Sequence, residues 1–194
     1  MGFKSSRAHP HQKDSDDKYR NDSMFTRDCT DYLMTRCIDA ALRGSQSGLN
    51  KPFVGALIAT PDGDILGEGY RVLQRSTRTI HAERRAIERV ERCYSRRDVS
   101  DGILVTTLEP CVEKYRRQPL WSCTELIVHS GIKKVVFGVL DTSELMDGGA
   151  GIRMLERSGL RVMQYDKLND VIVGSLLPQA ARKTYEQRVG RIRT

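Results

Sequence analysis

Residues 106–111 read TTLEPC, where an apolar run in the middle of the chain ends on a prolyl cysteine. The run, residues 102–108, is typical of a buried strand, which we expect to end at Glu109 and Pro110. Upstream, residues 79–83 read TIHAE and open a predicted helix. The order of the helices and strands around these two stretches indicates the fold.

Helices and strands are predicted on both sides of this strand. Residues 24–42 carry apolar side chains at helical spacing, with Asp22 or Ser23 as the N-cap. Residues 53–59 and 65–70 read as a strand hairpin, and the pattern from Ala82 to Tyr94 predicts a helix. The remaining predicted elements are a helix over 121–130 with Gly131 as its C-cap, a strand over 133–140, a helix over 152–157 closed by Gly159, a strand over 160–165, and a helix over 171–188 interrupted near Pro178.

This order predicts an α/β fold. Strands that alternate with helices after an opening hairpin form a mixed sheet with helices on both faces. We therefore expect a three-layer α/β/α sandwich with a five-stranded mixed sheet. A helix between the fourth and fifth predicted strands makes those two strands parallel.

Length and composition indicate a single core. The chain has 194 residues, of which 39% are hydrophobic, so it can bury one core and no more. Residues 1–22 are polar and are expected to be a disordered tail, 23–178 the folded domain, and 179–194 a basic C-terminal helix or tail. No apolar run approaches the roughly 20 residues that span a bilayer. We expect a soluble protein with no membrane partner.

The five cysteines are an odd number, and no secretory leader is predicted at the polar N-terminus. Both points favour a reducing, cytoplasmic location, where clustered cysteines indicate metal or catalysis rather than disulfides. Cys29 and Cys37 lie on the apolar stripe of the first helix and Cys93 on a helix face, so all three are predicted to be core residues. His129 is predicted on a helix surface.

The net charge of +7 raises the question of a nucleic-acid partner. Much of the excess is terminal, because residues 182–193 carry five Lys or Arg side chains against a single Glu. A solvated basic tail and a phosphate-binding arm are both compatible with this pattern.

One histidine and two cysteines are expected to converge at one edge of the sheet. His81 precedes a helix, Cys111 follows the central strand, and Cys123 opens the next helix. One imidazole and two thiolates make a three-ligand Zn²⁺ site with a fourth position for water, and helix N-termini favour the thiolate form. Glu83 would face that water without ligating the metal.

These residues match the signature of zinc-dependent base deaminases, H-x-E followed by P-C-x-x-C. HAE occupies residues 81–83, but residues 112–122 separate Cys111 from Cys123, where two residues are usual. The chain resembles the cytidine and deoxycytidylate deaminase superfamily. The resemblance implies a cytidine-deaminase-like fold, a zinc cofactor and self-association as a homodimer.

The long spacing between the cysteines resembles the deaminase domain of riboflavin biosynthesis. Residues 50–56, NKPFVGA, are similar to its N-P-x-V-G with one residue inserted, and residues 107–111 to its T-L-E-P-C. Residues 141–160 resemble its D-P-N-P…G-x-G…L-x-x-A-G-I stretch. The likeness covers about residues 24–165, but RRQPLWSC at 116–123 replaces the family's G-R-T-P-P-C, and no reductase domain is expected to follow.

Five residues are predicted to contact the substrate, namely Asn50, Ala82, Glu109, Arg116 and Trp121. The resemblance places Asn50 where a side-chain amide holds the substrate's ring, although it could merely end a turn before Pro52. Trp121 is either ordinary packing or a stacking wall. Arg116 and Arg117 are either solvated or a clamp for a substrate phosphate.

The predicted activity is hydrolytic deamination of an aminopyrimidine base, nucleoside or nucleotide, the reaction of a hydrolase acting on C–N bonds in cyclic amidines. Zinc would lower the pKa of its water towards about 7. Glu83 would carry protons from that water to the ring nitrogen and the departing amine. Two alternatives remain open: an editor of tRNA or single-stranded DNA, suggested by the basic tail, and a non-catalytic zinc subunit, against which Glu83 weighs.

Overall fold

The computed structural model of the protein describes residues 27–44, 51–74, 78–94, 96–113, 121–142 and 148–192. In this part of the chain the helices are α1 (Arg27–Arg43), α2 (Ala82–Cys93), α3 (Arg96–Asp101), α4 (Cys123–Ser130), α5 (Ala150–Arg157), α6 (Asn169–Leu176) and α7 (Gln179–Ile192). The strands are β1 (Gly55–Ala59), β2 (Ile65–Tyr70), β3 (Val72–Gln74), β4 (Arg78–Ile80), β5 (Ile103–Leu108), β6 (Lys134–Val139) and β7 (Arg161–Gln164).

Five strands form one mixed sheet in the order β2-β1-β5-β6-β7. β1 is antiparallel to both neighbours, with Ala56 opposite Thr106 of β5, whereas β5, β6 and β7 run parallel. The predicted hairpin is confirmed, and so is the parallel pairing of the fourth and fifth predicted strands, which are β6 and β7. The carboxyl ends of β5 and β6 consequently lie at the same edge of the sheet.

The central strand β5 is buried along its whole length, as a strand covered on both faces must be. The hydroxyl groups of its two buried threonines both form hydrogen bonds. Thr107 Oγ1 accepts from Gly55 N at 3.2 Å, and Thr106 Oγ1 donates to Leu108 O at 3.1 Å. The backbone N–H of Glu109 donates to Val139 O of β6 at 2.9 Å. Pro110 has no N–H, so the pairing stops there.

Helices cover both faces of the sheet and confirm the predicted three-layer architecture. α1 and α6 contact each other, while α2 packs on β1 and β2 and contacts α4. A Cβ on Gly55 would lie 1.9 Å from Cys37 O in α1, and one on Gly69 would lie 2.2 Å from Ala82 O in α2. Gly69 is therefore required for the start of α2 to approach β2 this closely, and that start carries the HAE motif.

Two short features are absent from the sequence-based prediction. β3 and β4 form a separate antiparallel pair before α2, and α3 follows α2. Each has too few residues to show a hydrophobic repeat. α4 begins at Cys123 rather than at Trp121, because Ser122 is its N-cap, and the predicted C-cap Gly131 is confirmed with φ 88°.

The cysteines outside the motif are mostly placed as predicted. Cys37 is buried and Cys29 is half-buried against the core. The prediction that Cys93 lies in the core is wrong, because the buried stripe of α2 ends at Val90 and Cys93 is exposed in the last position of the helix. His129 is exposed on α4, as expected.

The C-terminal part of the described chain consists of α6 and α7, separated at Pro178 as predicted. Ala181 and Tyr185 of α7 pack against the core. The predicted tail over 1–22 and the N-cap candidates Asp22 and Ser23 lie outside the described residues. Among the helices of the described residues, none has the length and apolar character that a membrane span needs.

Candidate active site

Three potential metal ligands meet at the carboxyl edge of the sheet. The ligand atoms of His81, Cys111 and Cys123 all lie within 4.8 Å of one another. His81 Nδ1 is 3.2 Å from the sulfur of Cys123 and 3.4 Å from the sulfur of Cys111. The structure brings these three residues together, as the sequence predicts. One imidazole and two thiols form the donor set of a three-ligand zinc site, so the residues fit Zn²⁺.

Each ligand stands at the end of a regular element. His81 is the extended residue before α2, and its side chain makes no capping bond. Cys111 follows the end of β5. Cys123 is the first residue of α4, whose start is fixed by a capping box: Ser122 Oγ accepts from Glu125 N at 3.2 Å, and Glu125 Oε2 accepts from Ser122 N at 2.9 Å.

Thr124 joins the two cysteine segments directly. Its backbone N–H donates to Cys111 O at 3.1 Å, and its hydroxyl donates to the same carbonyl at 3.2 Å. Thr124 is fully buried. The position of Cys111 relative to Cys123 is therefore set by contacts at the start of α4, even though a long segment of chain separates the two cysteines.

Hydrogen bonds join the two thiols and the imidazole. A hydrogen bond with Cys123 lowers the pKa of the Cys111 thiol to about 4 against the opposing effect of burial, and the same bond, together with burial, raises the pKa of Cys123 well above its ordinary value. Burial lowers the pKa of His81, but the hydrogen bond and charge of Cys111 more than offset this and leave it raised. A bound divalent cation replaces such protons, because only the thiolate and neutral imidazole are ligands.

Glu83 lies beside the ligands in the first turn of α2. Its side chain is buried, and its Oε2 accepts a hydrogen bond from the Cys123 thiol at 3.6 Å. Burial raises the pKa of Glu83 to about 6, against the favourable charge of His81. A carboxyl group that titrates near neutral pH can both accept and donate a proton, which is the property a general acid–base catalyst needs.

Glu109 is buried at the same edge but is held by backbone donors. Its Oε2 accepts from Asp141 N at 3.2 Å and from Gly149 N at 2.9 Å, and its Oε1 accepts from Gly151 N at 2.7 Å. A Cβ on Gly151 would lie 2.0 Å from Pro110 O, so the start of α5 can approach only with glycine there. Burial raises the pKa of Glu109, and these N–H bonds oppose the rise.

A cavity of about 560 Å³ opens onto these groups. Of the predicted substrate contacts, Ala82 and Glu109 line it, and their contact with a substrate stays a prediction. Asn50 and Arg116 lie outside the described residues. The ring of Trp121 is exposed and lies 3.8 Å from that of His129, centroid to centroid, on the outside of α4. Its role as a stacking wall also stays a prediction.

Sequence reasoning missed part of the cavity lining. Arg71, which follows β2, faces the cavity and donates through Nη1 to Pro52 O at 2.8 Å. Leu177, Pro178 and Thr184 line it from the C-terminal helices. The break at Pro178 is visible in the sequence, but no periodicity shows that the helix after it turns towards the motif.

Comparison with known proteins agrees with this geometry. Residues 27–139 match the model of the family described as cytidine and deoxycytidylate deaminase zinc-binding region. The chain is 33% identical over 144 residues to riboflavin biosynthesis protein RibD of Actinobacillus pleuropneumoniae. The aligned region covers 74% of this chain and 35% of that protein. The chain thus spans about a third of the length of this relative.

Solved structures show the same fold. The Thermotoga maritima diaminohydroxyphosphoribosylaminopyrimidine deaminase/5-amino-6-(5-phosphoribosylamino)uracil reductase superposes with a TM-score of 0.63 at 29% identity, over 77% of this chain and 39% of that one. The Aspergillus oryzae Rib2 deaminase, in complex with DARIPP, has a TM-score of 0.62 over 82% of this chain and 99% of that one; at 17% identity it supports the fold alone. The chain belongs to the cytidine and deoxycytidylate deaminase family, within which it resembles the RibD proteins.

Proposed function

We propose that this protein is a zinc-dependent hydrolytic deaminase of an aminopyrimidine and that it acts in a riboflavin-type pathway. The observation that carries the proposal is the meeting of His81, Cys111 and Cys123 beside the buried carboxyl group of Glu83, next to a cavity that His81, Cys111 and Glu83 line. A purely structural zinc site has no use for that carboxyl group. The combination is suited to activating water next to a bound ring.

His81, Cys111 and Cys123 would hold the metal. When bound, zinc supplies Lewis acidity that lowers the pKa of a coordinated water towards about 7. Glu83 would take a proton from the attacking water and deliver it to the ring nitrogen. It would then take the proton of the hydroxyl group now attached to the ring carbon and give it to the amine, which leaves as ammonia while a carbonyl forms. Its pKa of about 6, raised by burial, suits a group that must both gain and lose a proton in each cycle.

The nature of the substrate is supported by the relatives. The Thermotoga maritima protein is a diaminohydroxyphosphoribosylaminopyrimidine deaminase and reductase in one chain, and the Schizosaccharomyces pombe diaminohydroxyphosphoribosylamino-pyrimidine deaminase is 32% identical over 111 residues. A phosphoribosylated diaminopyrimidine is therefore the first candidate. Cytosine, adenine and guanine derivatives are the next.

The test is ammonia release by the zinc-loaded full chain. The panel contains aminated bases, nucleosides and nucleotides, diaminohydroxyphosphoribosylaminopyrimidine and tRNA, with the Glu83→Gln protein as the blank. Release from a small pyrimidine by the unmutated protein alone is the expected result. Ammonia from tRNA only would instead assign the protein to nucleic-acid editing, and a zinc-loaded protein that deaminates nothing would make it a non-catalytic subunit.

In the described part of the basic segment Arg182 takes part in the fold, because its Nε donates to Leu177 O at 2.7 Å. Salt-dependent binding of RNA or DNA would be the mark of the nucleic-acid alternative. A homodimeric state and a reducing, cytoplasmic location stay predictions from the sequence.

A further inference from the structure

The second cysteine of the site follows a stretch of chain that the family motif does not contain. Eleven residues, 112–122, separate Cys111 from Cys123, where the deaminase signature has two. With two residues between them, the thiols of the signature cannot move far apart, because the backbone itself limits their separation. In this chain the backbone sets no such limit, so contacts with other parts of the fold must hold Cys123 in place.

Trp121 attaches the end of this stretch to two helices. Its backbone carbonyl accepts a hydrogen bond from Arg84 Nη2 of α2 at 2.9 Å. Its ring lies 3.8 Å from that of His129 in the last turn of α4, centroid to centroid. The chain is thus fixed two residues before Cys123, and we call Arg84 and Trp121 together the clamp.

The side chain of Arg84 is oriented by its own helix. Its Nη1 lies 3.6 Å from Glu88 Oε1, one turn further along α2, and the side chain is 15% exposed. The carboxylate on one side and the Trp121 carbonyl on the other restrict the direction of the guanidinium. Because the donor carries a charge, its bond to the carbonyl is stronger than a bond between two neutral groups.

The clamp fixes the start of α4 relative to α2. The capping box of Ser122, by contrast, lies within α4 and its N-cap, and Thr124 ties α4 to the carbonyl of Cys111. Arg84 directly follows Glu83 in the first turn of α2. These three sets of contacts act in different directions, and the clamp supplies the one towards the helix of the HAE motif.

The clamp does not depend on the protons of the metal ligands. The Cys123 thiol donates to Glu83 Oε2 at 3.6 Å, and this bond is lost with the thiol proton when a metal binds. Arginine keeps its charge in proteins, so the bond from Arg84 to the Trp121 carbonyl needs no change when the thiol becomes a thiolate. The clamp therefore connects Cys123 to α2 in the metal-bound protein as well.

We propose that the clamp positions Cys123 against His81 and thereby slows the loss of bound zinc. Neither Arg84 nor Trp121 lines the cavity, so both are positioning residues that act through Cys123. This inference rests on the proposed function, because it takes zinc as the bound metal. It adds a role for two residues outside the motif and places the Trp121 ring on the outer side of the metal site.

The experiment measures the rate at which the zinc-loaded, full-length protein releases zinc into an excess of a chromophoric chelator. Arg84→Met keeps most of the aliphatic stem and removes the donors, whereas Arg84→Lys keeps a charged donor. Arg89→Met, at an exposed position of the same helix, is the matched control. Urea unfolding of the metal-free proteins measures the stability of the fold separately.

We expect Arg84→Met to release zinc about fivefold faster than the unmutated protein. This is less than the roughly 10–100-fold effect of groups bonded directly to metal ligands, because Arg84 acts through the chain two residues away. Arg84→Lys should restore most of the retention, and Arg89→Met should release zinc at the unmutated rate. The unfolding midpoint of the metal-free proteins should change little, since Trp121 is exposed.

Two results would overturn the inference. One is an equal rate of zinc release from Arg84→Met and Arg89→Met. The other is faster release that Arg84→Lys does not reverse and that comes with a lower unfolding midpoint of metal-free Arg84→Met, because the loss would then be one of general stability.

Trp121→Ala separates the clamp from contact with a substrate. Loss of the ring contact with His129 should speed zinc release and leave KM for the deaminated pyrimidine unchanged. A raised KM with unchanged zinc release would instead assign the ring to the substrate and remove Trp121 from the clamp.

Failure of the clamp and failure of the proposed function give different results. Ammonia release by the unmutated chain, together with equal zinc release from Arg84→Met and Arg89→Met, would retain the deaminase and reject the clamp. Faster zinc release from Arg84→Met without any ammonia release by the unmutated chain would retain the clamp and reject the catalytic role. A chain that binds no zinc would reject both.

Discussion

Two buried carboxyl groups at the same edge of the sheet have opposite surroundings. The side chains of Glu83 and Glu109 are 3% and 2% exposed, and burial raises the pKa of both. Glu109 accepts three backbone N–H bonds from the segments around Asp141 and the start of α5. The side chain of Glu83 instead accepts a hydrogen bond from the Cys123 thiol, which must lose its proton when a metal binds.

Burial alone therefore does not make a carboxyl group reactive. Backbone N–H groups do not pass their protons to a substrate, and those that bind Glu109 connect the end of β5 to the start of α5. Glu83 is instead bordered by groups whose protons move. We therefore expect substitution of Glu83 to affect turnover and substitution of Glu109 to affect folding.

The largest effect is expected for Glu83→Gln. The substitution retains shape but removes the proton carrier, so kcat should fall by roughly 10³-fold, within the range of general acid–base catalysis. Bound zinc, measured by metal analysis, should stay equimolar. Glu91→Gln, exposed on the same helix, is the control and should keep full turnover. A Glu83→Gln protein with normal kcat would remove Glu83 from the mechanism.

A stability loss is expected for Glu109→Gln. The amide can present its oxygen to some of the three backbone donors but sets an NH₂ group against the rest, so the free energy of unfolding should fall by about 2–3 kcal/mol. Urea unfolding of the zinc-loaded protein measures this as a lower midpoint with an unchanged slope. Unchanged stability with a large rise in KM would instead show that Glu109 contacts the substrate, as the resemblance implies.

A smaller effect is expected at the contact between the two cysteine segments. Thr124→Val removes the hydroxyl bond to Cys111 O and keeps the backbone bond, so zinc affinity should fall by about tenfold, the lower end for groups that support metal ligands. Competition with a chromophoric chelator measures it. Thr124→Ser retains the hydroxyl and should behave as the unmutated protein. Equal affinities in the Val and Ser proteins would show that the backbone bond suffices.

The convergence of the three candidate metal ligands could be predicted from the sequence because their chemistry is specific. HAE before a helix and Pro110-Cys111 after a strand place donors of the right type at one sheet edge, and topology then requires them to meet. Cys123 could be identified as the third candidate ligand despite the long spacing, because it is predicted at the start of the next helix. The number of residues between the two cysteines does not set their separation in space, because Thr124 and the capping box of Ser122 determine where Cys123 lies.

The partners of Glu109 and the approach of α7 to the cavity could not be predicted in the same way. Gly149 and Gly151 donate to Glu109 from far along the chain, and their importance depends on a close approach to Pro110 that no periodicity encodes. Likewise, the direction of α7 depends on hydrogen bonds of Phe53 and Arg182. The hydrophobic periodicity of a segment indicates which face of a helix or strand is apolar, but it does not indicate which distant segment packs against that face.

The smallest effect is expected for a third carboxylate, Glu68 on the edge strand β2, whose partners are cations. Arg36 Nη2 and Arg43 Nη2 each lie 2.6 Å from one of its oxygens. Burial raises the pKa of Glu68, but hydrogen bonds from Arg43 and Arg36 more than offset this and leave it lowered. Because both arginines are well exposed, Glu68→Gln should cost only about 1 kcal/mol of unfolding free energy.

The pH dependence of that cost separates charge from packing. A lowered pKa means that the unfolded chain binds a proton before the folded one as pH falls, so the stabilisation by Glu68 is complete above the ordinary carboxyl value of 4.5 and is lost as pH falls through the lower folded value. Urea unfolding of both proteins at neutral pH and at about pH 3 should show the difference shrinking. A difference in unfolding free energy that persists in acid would mean that Glu68 stabilises β2 through packing rather than through its charge. Glu68 would then not serve as a charged counterpart to Glu83 and Glu109.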